Sequence, residues 1–198
     1  MNLIEELKNY CDINNPVGAL MLSGEWGCGK TYLIKTKFIP SVKDTYVFVC
    51  ISLFGIDSLD KLRVEVKKKW LEKASEFDSL NGTKVSRVAD SCRRIFDTIK
   101  DRLPENWQKK GEVVSSIMDL INFMPISNRM FEKKVILVFD DLERTNISCT
   151  DLLGCINDYC ENQGFNTIIV ANEEKIKDRS DNELSYREIK EKIVQRVI

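Results

Sequence analysis

Gly24-Glu25-Trp26-Gly27-Cys28-Gly29-Lys30-Thr31 is the stretch from which the rest of the chain is read. It fits G-x-x-x-x-G-K-[ST], a pattern in which each residue type has a physical task. The glycines let the backbone wrap so that successive N–H groups point inward at an anion, and a helix beginning at the loop's end adds its positive pole. The lysine brings a compact charge to the outer phosphates of a nucleotide, and the threonine hydroxyl is a ligand for Mg²⁺. Residues Gly24, Glu25, Trp26, Gly27, Cys28, Gly29, Lys30, Thr31 and Tyr32 are therefore the expected phosphate-holding segment. Average residue frequencies give a chance match in under about one per cent of chains this long.

Working outward, residues 17–23 form a short apolar run, as a buried parallel strand would. Residues 31–39 have helical spacing and are expected to stop at Pro40, and residues 45–53 (TYVFVCISL) are a second β-rich run. Upstream, Leu3, Ile4, Leu7 and Tyr10 recur at helical spacing among Glu5, Glu6 and Lys8, which makes an amphipathic helix and not a signal peptide. Downstream, Asp57 or Ser58 is expected to cap a helix to about Phe77, with further helices over residues 85–103 and 112–124. Residues 134–139 read as a third strand, Thr150 as the cap of a helix ending at Gly164, residues 165–171 as a fourth strand, and residues 182–194 as a last helix. Strands alternating with helices, each strand apolar on both faces, call for a parallel sheet covered on both sides.

A phosphate loop that handles Mg²⁺ needs a carboxylate at the tip of a neighbouring strand. Val135-Ile136-Leu137-Val138-Phe139-Asp140-Asp141 supplies it. Asp140 is the expected magnesium residue, alongside Thr31, and Asp141 is expected to orient or deprotonate the attacking water.

Composition narrows the field. Thirty basic against thirty-one acidic residues give a formal charge of −1, so no global field draws the chain to nucleic acid or anionic membrane. The runs Lys67-Lys68-Lys69, Lys109-Lys110 and Lys133-Lys134 adjoin acidic residues and read as solvated faces. There is no histidine, which removes His-based acid–base and nucleophilic machinery and most catalytic zinc sites. Seven scattered cysteines without a C-x-x-C pair read as reduced thiols of a cytoplasmic protein. The most membrane-like stretch, residues 113–131, is interrupted by Ser115, Ser116, Asp119, Asn122, Pro125 and Asn128 and falls short of the roughly 20 apolar residues a span requires.

The glycine loop, together with Asp140-Asp141-Leu142-Glu143-Arg144, resembles the KAP family of P-loop NTPases, related to the STAND and AAA+ ATPases. In that family the loop typically reads Gly-x-Trp-Gly-x-Gly-Lys-Thr and the acidic motif Asp-Asp-Leu-Asp-Arg. The resemblance implies an α/β fold, a three-layer α/β/α sandwich whose parallel sheet has the ASCE-type order 5-1-4-3-2. The helical insertion spans about residues 58–132, and the fifth strand, incomplete, begins near Ile193. Residues 1–198 then read as one P-loop NTPase core, the N-terminal fragment of a longer protein whose lid and effector regions are absent.

The resemblance also implies ATP as substrate, Mg²⁺ as cofactor, and a catalytic set of Lys30, Asp141, Arg144 and Asn172. Two readings stand for Asn172: a sensor of the γ-phosphate, or a turn residue before Glu173-Glu174. Two stand for Arg144: a local salt bridge, or a reach to a neighbouring subunit. Glu143 departs from the usual Asp. No Asn-Lys-x-Asp segment for reading guanine is visible, which favours adenine. The expected function is an ATP-hydrolysing switch acting through self-association or an effector domain, with phage exclusion implied by bacterial relatives. The alternative is a nucleotide-binding scaffold with negligible turnover.

Overall fold

The computed structural model describes residues 2–81, 126–130, 132–179 and 183–198. The chain divides into two compact units, Met1–Leu62 with Ser127–Ile198, and Arg63–Ile126. The helices expected over residues 85–103 and 112–124 lie outside the described residues.

The first unit is built on a parallel sheet of β1 (Ala19–Ser23), β2 (Tyr46–Ser52), β4 (Lys133–Asp140), β5 (Asn166–Ala171) and β6 (Val194–Val197). Their spatial order is β2-β4-β5-β1-β6, which is 5-1-4-3-2 when the parallel strands are numbered along the chain and read from the β6 edge. The strand tips of β1 and β4 thus flank β5. A short β3 (Arg129–Met130), which the sequence does not signal, turns back antiparallel on the start of β4. Two residues are too few to show an alternating pattern.

Helices cover both faces. Leu20, Leu22, Phe48, Ile136, Val138, Ile168 and Val170 pack with α1 (Leu3–Asp12) and with Ile34, Phe38 and Val42 in one buried cluster. The alternate residues Met21, Val49, Leu137, Phe139 and Ile169 are equally buried on the other face. There Phe139 meets Tyr159, 6.1 Å between ring centroids, in the helical segment formed by α4 (Cys149–Asn157) and its π-helical continuation Asp158–Asn162. This double coverage explains why β4 and β5 read as continuous apolar runs.

Helix α2 opens at the glycine loop as Lys30–Tyr32, widens into a π-helical stretch, Leu33–Phe38, and finishes as Ile39–Val42. It does not stop at Pro40, as its sequence suggests. The Ile39 N–H reaches back to the Ile34 carbonyl, a wider turn that carries the helix through a residue lacking its own N–H. Ile34, Phe38 and Val42, all buried, recur strictly every four residues. Ser148, not Thr150, caps α4: its Oγ accepts the Asp151 N–H at 3.1 Å and donates to the Asp151 carboxylate at 2.7 Å. Helix α3 (Leu59–Asn81) opens after Ser58, whose carbonyl accepts the Leu62 N–H at 3.1 Å, and runs a turn beyond the expected Phe77. In the Lys67-Lys68-Lys69 run, Lys68 pairs with Glu65 and Lys69 with Glu72. Helices α5 (Glu173–Arg179) and α6 (Glu183–Ile193) lead into β6.

Where the strands begin, three side chains tie α1 to the sheet. The Tyr10 hydroxyl donates to the Gly18 carbonyl and accepts the Thr167 N–H, both at 2.9 Å. Asn166 donates to the carbonyls of Tyr10 and Ile13, and Lys134 to those of Cys11 and Ile13. Burial pushes the Cys11 thiol up to about 12 and the Cys160 thiol up to about 11. Among the described residues no helix is long and apolar enough to cross a membrane.

Candidate functional site

The parallel strands all finish at the same end, and there the glycine loop joins the tip of β1 to α2. The Gly24 N–H donates to Ala171 O at 3.2 Å, anchoring the loop to β5. Gly27 and Gly29 have φ of 80° and 93°, conformations that side-chain-bearing residues adopt only with strain, which is why the loop needs glycine there. The Lys30 ammonium folds over the loop, donating to the carbonyls of Gly24 at 2.6 Å and Glu25 at 2.9 Å.

Facing the loop is the tip of β4. Thr31 Oγ1 donates to Asp140 Oδ1 at 3.1 Å, so the hydroxyl and carboxylate of two motifs 109 positions apart stand together. Lys35, one helical turn beyond Thr31, places its Nζ 3.6 Å from Asp140 Oδ2. Asp140 is 5% exposed, and it is held between a donor and a cation. Two hard oxygen ligands from Thr31 and Asp140 suit a small divalent cation that takes its remaining ligands from phosphate and water. The donor chemistry therefore fits Mg²⁺.

Asp141 has φ 62° and ψ 41°, the left-handed region that Asp tolerates better than most residues, and this turns the chain sharply at the strand end. Its carboxylate pairs with Arg144 Nε at 3.4 Å and accepts from Ser52 Oγ at 3.3 Å. The Arg144 guanidinium lies 5.4 Å from the Trp26 ring centroid and 5.7 Å from that of Phe54, a stacked cation between two exposed aromatics. Beneath it Glu143, 5% exposed, accepts the Trp26 indole N–H at 2.5 Å and the Asn172 N–H at 3.1 Å.

Of the residues singled out from sequence, Trp26, Gly27, Gly29, Lys30, Thr31, Tyr32, Asp140, Asp141 and Arg144 line one cavity of about 240 Å³. Gly24, Glu25 and Cys28 shape the loop without lining that cavity. Asn172 also lies outside the lining; it is buried at the tip of β5, where its Oδ1 accepts the Lys175 N–H at 3.4 Å and its carbonyl the Ile176 N–H at 3.2 Å, opening α5.

A family model described as the KAP family P-loop domain matches residues 2–198. The chain belongs to the KAP family. No curated protein matches it. Among solved structures it is similar to the crystal structure of Cdc6p from Pyrobaculum aerophilum, with a TM-score of 0.44 and 17% identity over 98% of this chain. The match spans 43% of that chain, under half its length. As a KAP P-loop domain the protein is a nucleotide-binding domain.

Sequence reasoning assigned no role to four residues that this KAP site contains. Lys35 carried a usable signal, since it shares a helix face with Thr31 four residues before it. Ser52 is the last residue of β2 and Phe54 lies just past it, and the tip of β2 is brought beside β4 only by the sheet order. Glu143 was visible as a departure from the family's Asp, but Trp26 and Asn172, whose N–H groups it accepts, are remote in sequence.

Proposed function

We propose that this KAP domain binds ATP with Mg²⁺ and hydrolyses it, bound nucleotide setting the conformation or assembly of a longer polypeptide. The observation that carries the reading is the Thr31–Asp140 pair at 3.1 Å, which joins the loop motif to the acidic motif around one cavity. Loop N–H groups and the start of α2 would receive the phosphates, and Lys30 would exchange its loop carbonyls for phosphate oxygens. Thr31 and Asp140 would hold Mg²⁺, which supplies charge neutralisation of the phosphates when bound. Asp141 would orient and deprotonate water once its carboxylate is free of Arg144.

The second reading is a nucleotide-binding scaffold with little turnover. It is favoured by the engagement of Asp141 with both Arg144 and Ser52, which occupies the expected base. Cytoplasmic residence extends the proposal from the cysteine pattern, and action through self-association or an effector region, with phage exclusion, extends it from the family resemblance.

The test is calorimetric ATP binding and phosphate release, with and without Mg²⁺, for the wild type, Lys30→Ala and Asp141→Asn. Losing charge-assisted hydrogen bonds should weaken ATP binding by Lys30→Ala about 10- to 100-fold. Asn also tolerates the left-handed backbone at position 141, so Asp141→Asn should keep binding and lose turnover. Binding without turnover in the wild type would favour the scaffold, and absence of ATP binding would sink both readings.

A further inference from the structure

We propose that Glu143 is a positioning residue that fixes the phosphate loop through Trp26 and passes the loop's state to α5 through the backbone amide of Asn172. The inference rests on the nucleotide reading above and adds to it the route by which occupancy leaves the site.

Glu143 sits on the short 3-10 turn Leu142–Arg144 that follows β4, nearly out of solvent at 5% exposure. One oxygen accepts from the Trp26 indole at 2.5 Å and the other from the Asn172 N–H at 3.1 Å. Both partners are donors that cannot accept, so both oxygens must act as acceptors, a requirement met by a carboxylate and not by a carboxamide. A glutamine there would turn its NH₂ toward one of the two N–H groups whichever way it lay, leaving a donor unsatisfied.

Trp26 gains its orientation from this tie. Its side chain is 55% exposed, so apolar burial does little to fix the ring; the carboxylate holds the indole edge and Arg144 stacks on the face. Since Trp26 lies between Gly24 and Gly27, orienting its ring constrains the loop backbone that would meet phosphate. At the other end Asn172 opens α5, and the adjoining Glu173 pairs with Lys190 of α6 at 2.5 Å, both side chains largely buried. Helix α6 runs directly into β6, which pairs with β1, the strand that delivers the loop. A shift of Trp26 therefore has a connection to the helices beyond the site, through hydrogen bonds as far as Asn172 and from there through the chain to the Glu173–Lys190 pair. Spatial connection is not yet coupling, and the variants below measure it.

The experiment uses the full chain, unaltered, as the parent. ATP affinity is measured by calorimetry for this parent, for Glu143→Gln, for Trp26→Phe and for the double variant. Exchange of the Asn172 amide proton is followed by NMR with and without ATP. Each single change should weaken ATP binding about five- to tenfold, and the double variant no further than the weaker single one, as expected when two residues act as a unit. The Asn172 amide should exchange more slowly on ATP binding in the parent and show no such response in Glu143→Gln or in Trp26→Phe. The second of these variants alters an exposed residue and keeps the test alive if Glu143→Gln folds poorly. ATP binding with multiplicative losses, or with an Asn172 amide indifferent to ATP, would overturn the relay alone. A parent that binds no ATP would remove the nucleotide reading and the relay's input together.

Discussion

At the end where the parallel strands begin, polar side chains are spent on backbone groups; at the end where they finish, the two acids of the site are held by other side chains. Tyr10, Asn166 and Lys134 direct their donors at the carbonyls of Gly18, Tyr10, Cys11 and Ile13. Most of these carbonyls belong to the last turn of α1 or just beyond it, where the regular helical ladder has run out. At the other end Asp140 is engaged by Thr31 and Lys35, and Asp141 by Ser52 and Arg144. A bond from a buried side chain to a backbone carbonyl fixes the path of the chain, and losing it forfeits a buried hydrogen bond. The Asp141–Arg144 pair, between two partly exposed charged side chains, can be exchanged for a ligand at little cost. The first end is therefore built for stability and the second for substitution.

The contrast can be broken most sharply at Asp141. Asp141→Asn should lower turnover by a factor of about 10² to 10⁴, the usual contribution of a positioned general base, with the urea midpoint unchanged. A shifted midpoint would mean that the site end also carries stability. The converse is Asn166→Ala, which removes two buried hydrogen bonds from carbonyls that each keep one other donor; about 1–3 kcal/mol should be lost in urea unfolding, with ATP affinity of the folded fraction unchanged. Thr31→Ala should cut the gain in ATP affinity on adding Mg²⁺ by about tenfold, the scale of one charge-assisted hydrogen bond, and leave Mg²⁺-free binding nearly intact. Arg187→Ala removes a side-chain pair remote from the cavity, that with Glu191, and should change stability by less than about 0.5 kcal/mol. A larger loss there would show that such pairs are not cheap to exchange in this protein.

The same contrast governs what could be read beforehand. The glycine loop is legible because its eight positions are consecutive, and Asp140-Asp141 because an apolar run ends abruptly in acid. The order of the parallel strands followed from the resemblance these two motifs carry, and the sheet has that order. Glu143's grip on Trp26 and Asn172 was not legible, since it joins three segments that only the sheet assembles. Ser148 and Thr150 are both good caps two residues apart, and only the geometry at Asp151 selects the first. Pro40 misled because a proline is read as ending a helix, whereas a wider turn just before it absorbs the missing donor.

That wider turn in α2 has a further consequence, for the spacing of the helix as a length of chain. Its front, at Lys30 and Thr31, must aim at the strand tips, and its rear, at Phe38 and Val42, must aim at the core. One residue more or fewer in an ordinary helix turns everything after it by about 100°. The stretch Leu33–Phe38 thus acts as a fixed angular offset between two ends with different targets. Because a π turn holds one residue more than an α turn, the stretch takes up an extra residue while both ends keep their targets, and it is a part of the helix where the residue count can fall by one without turning either end.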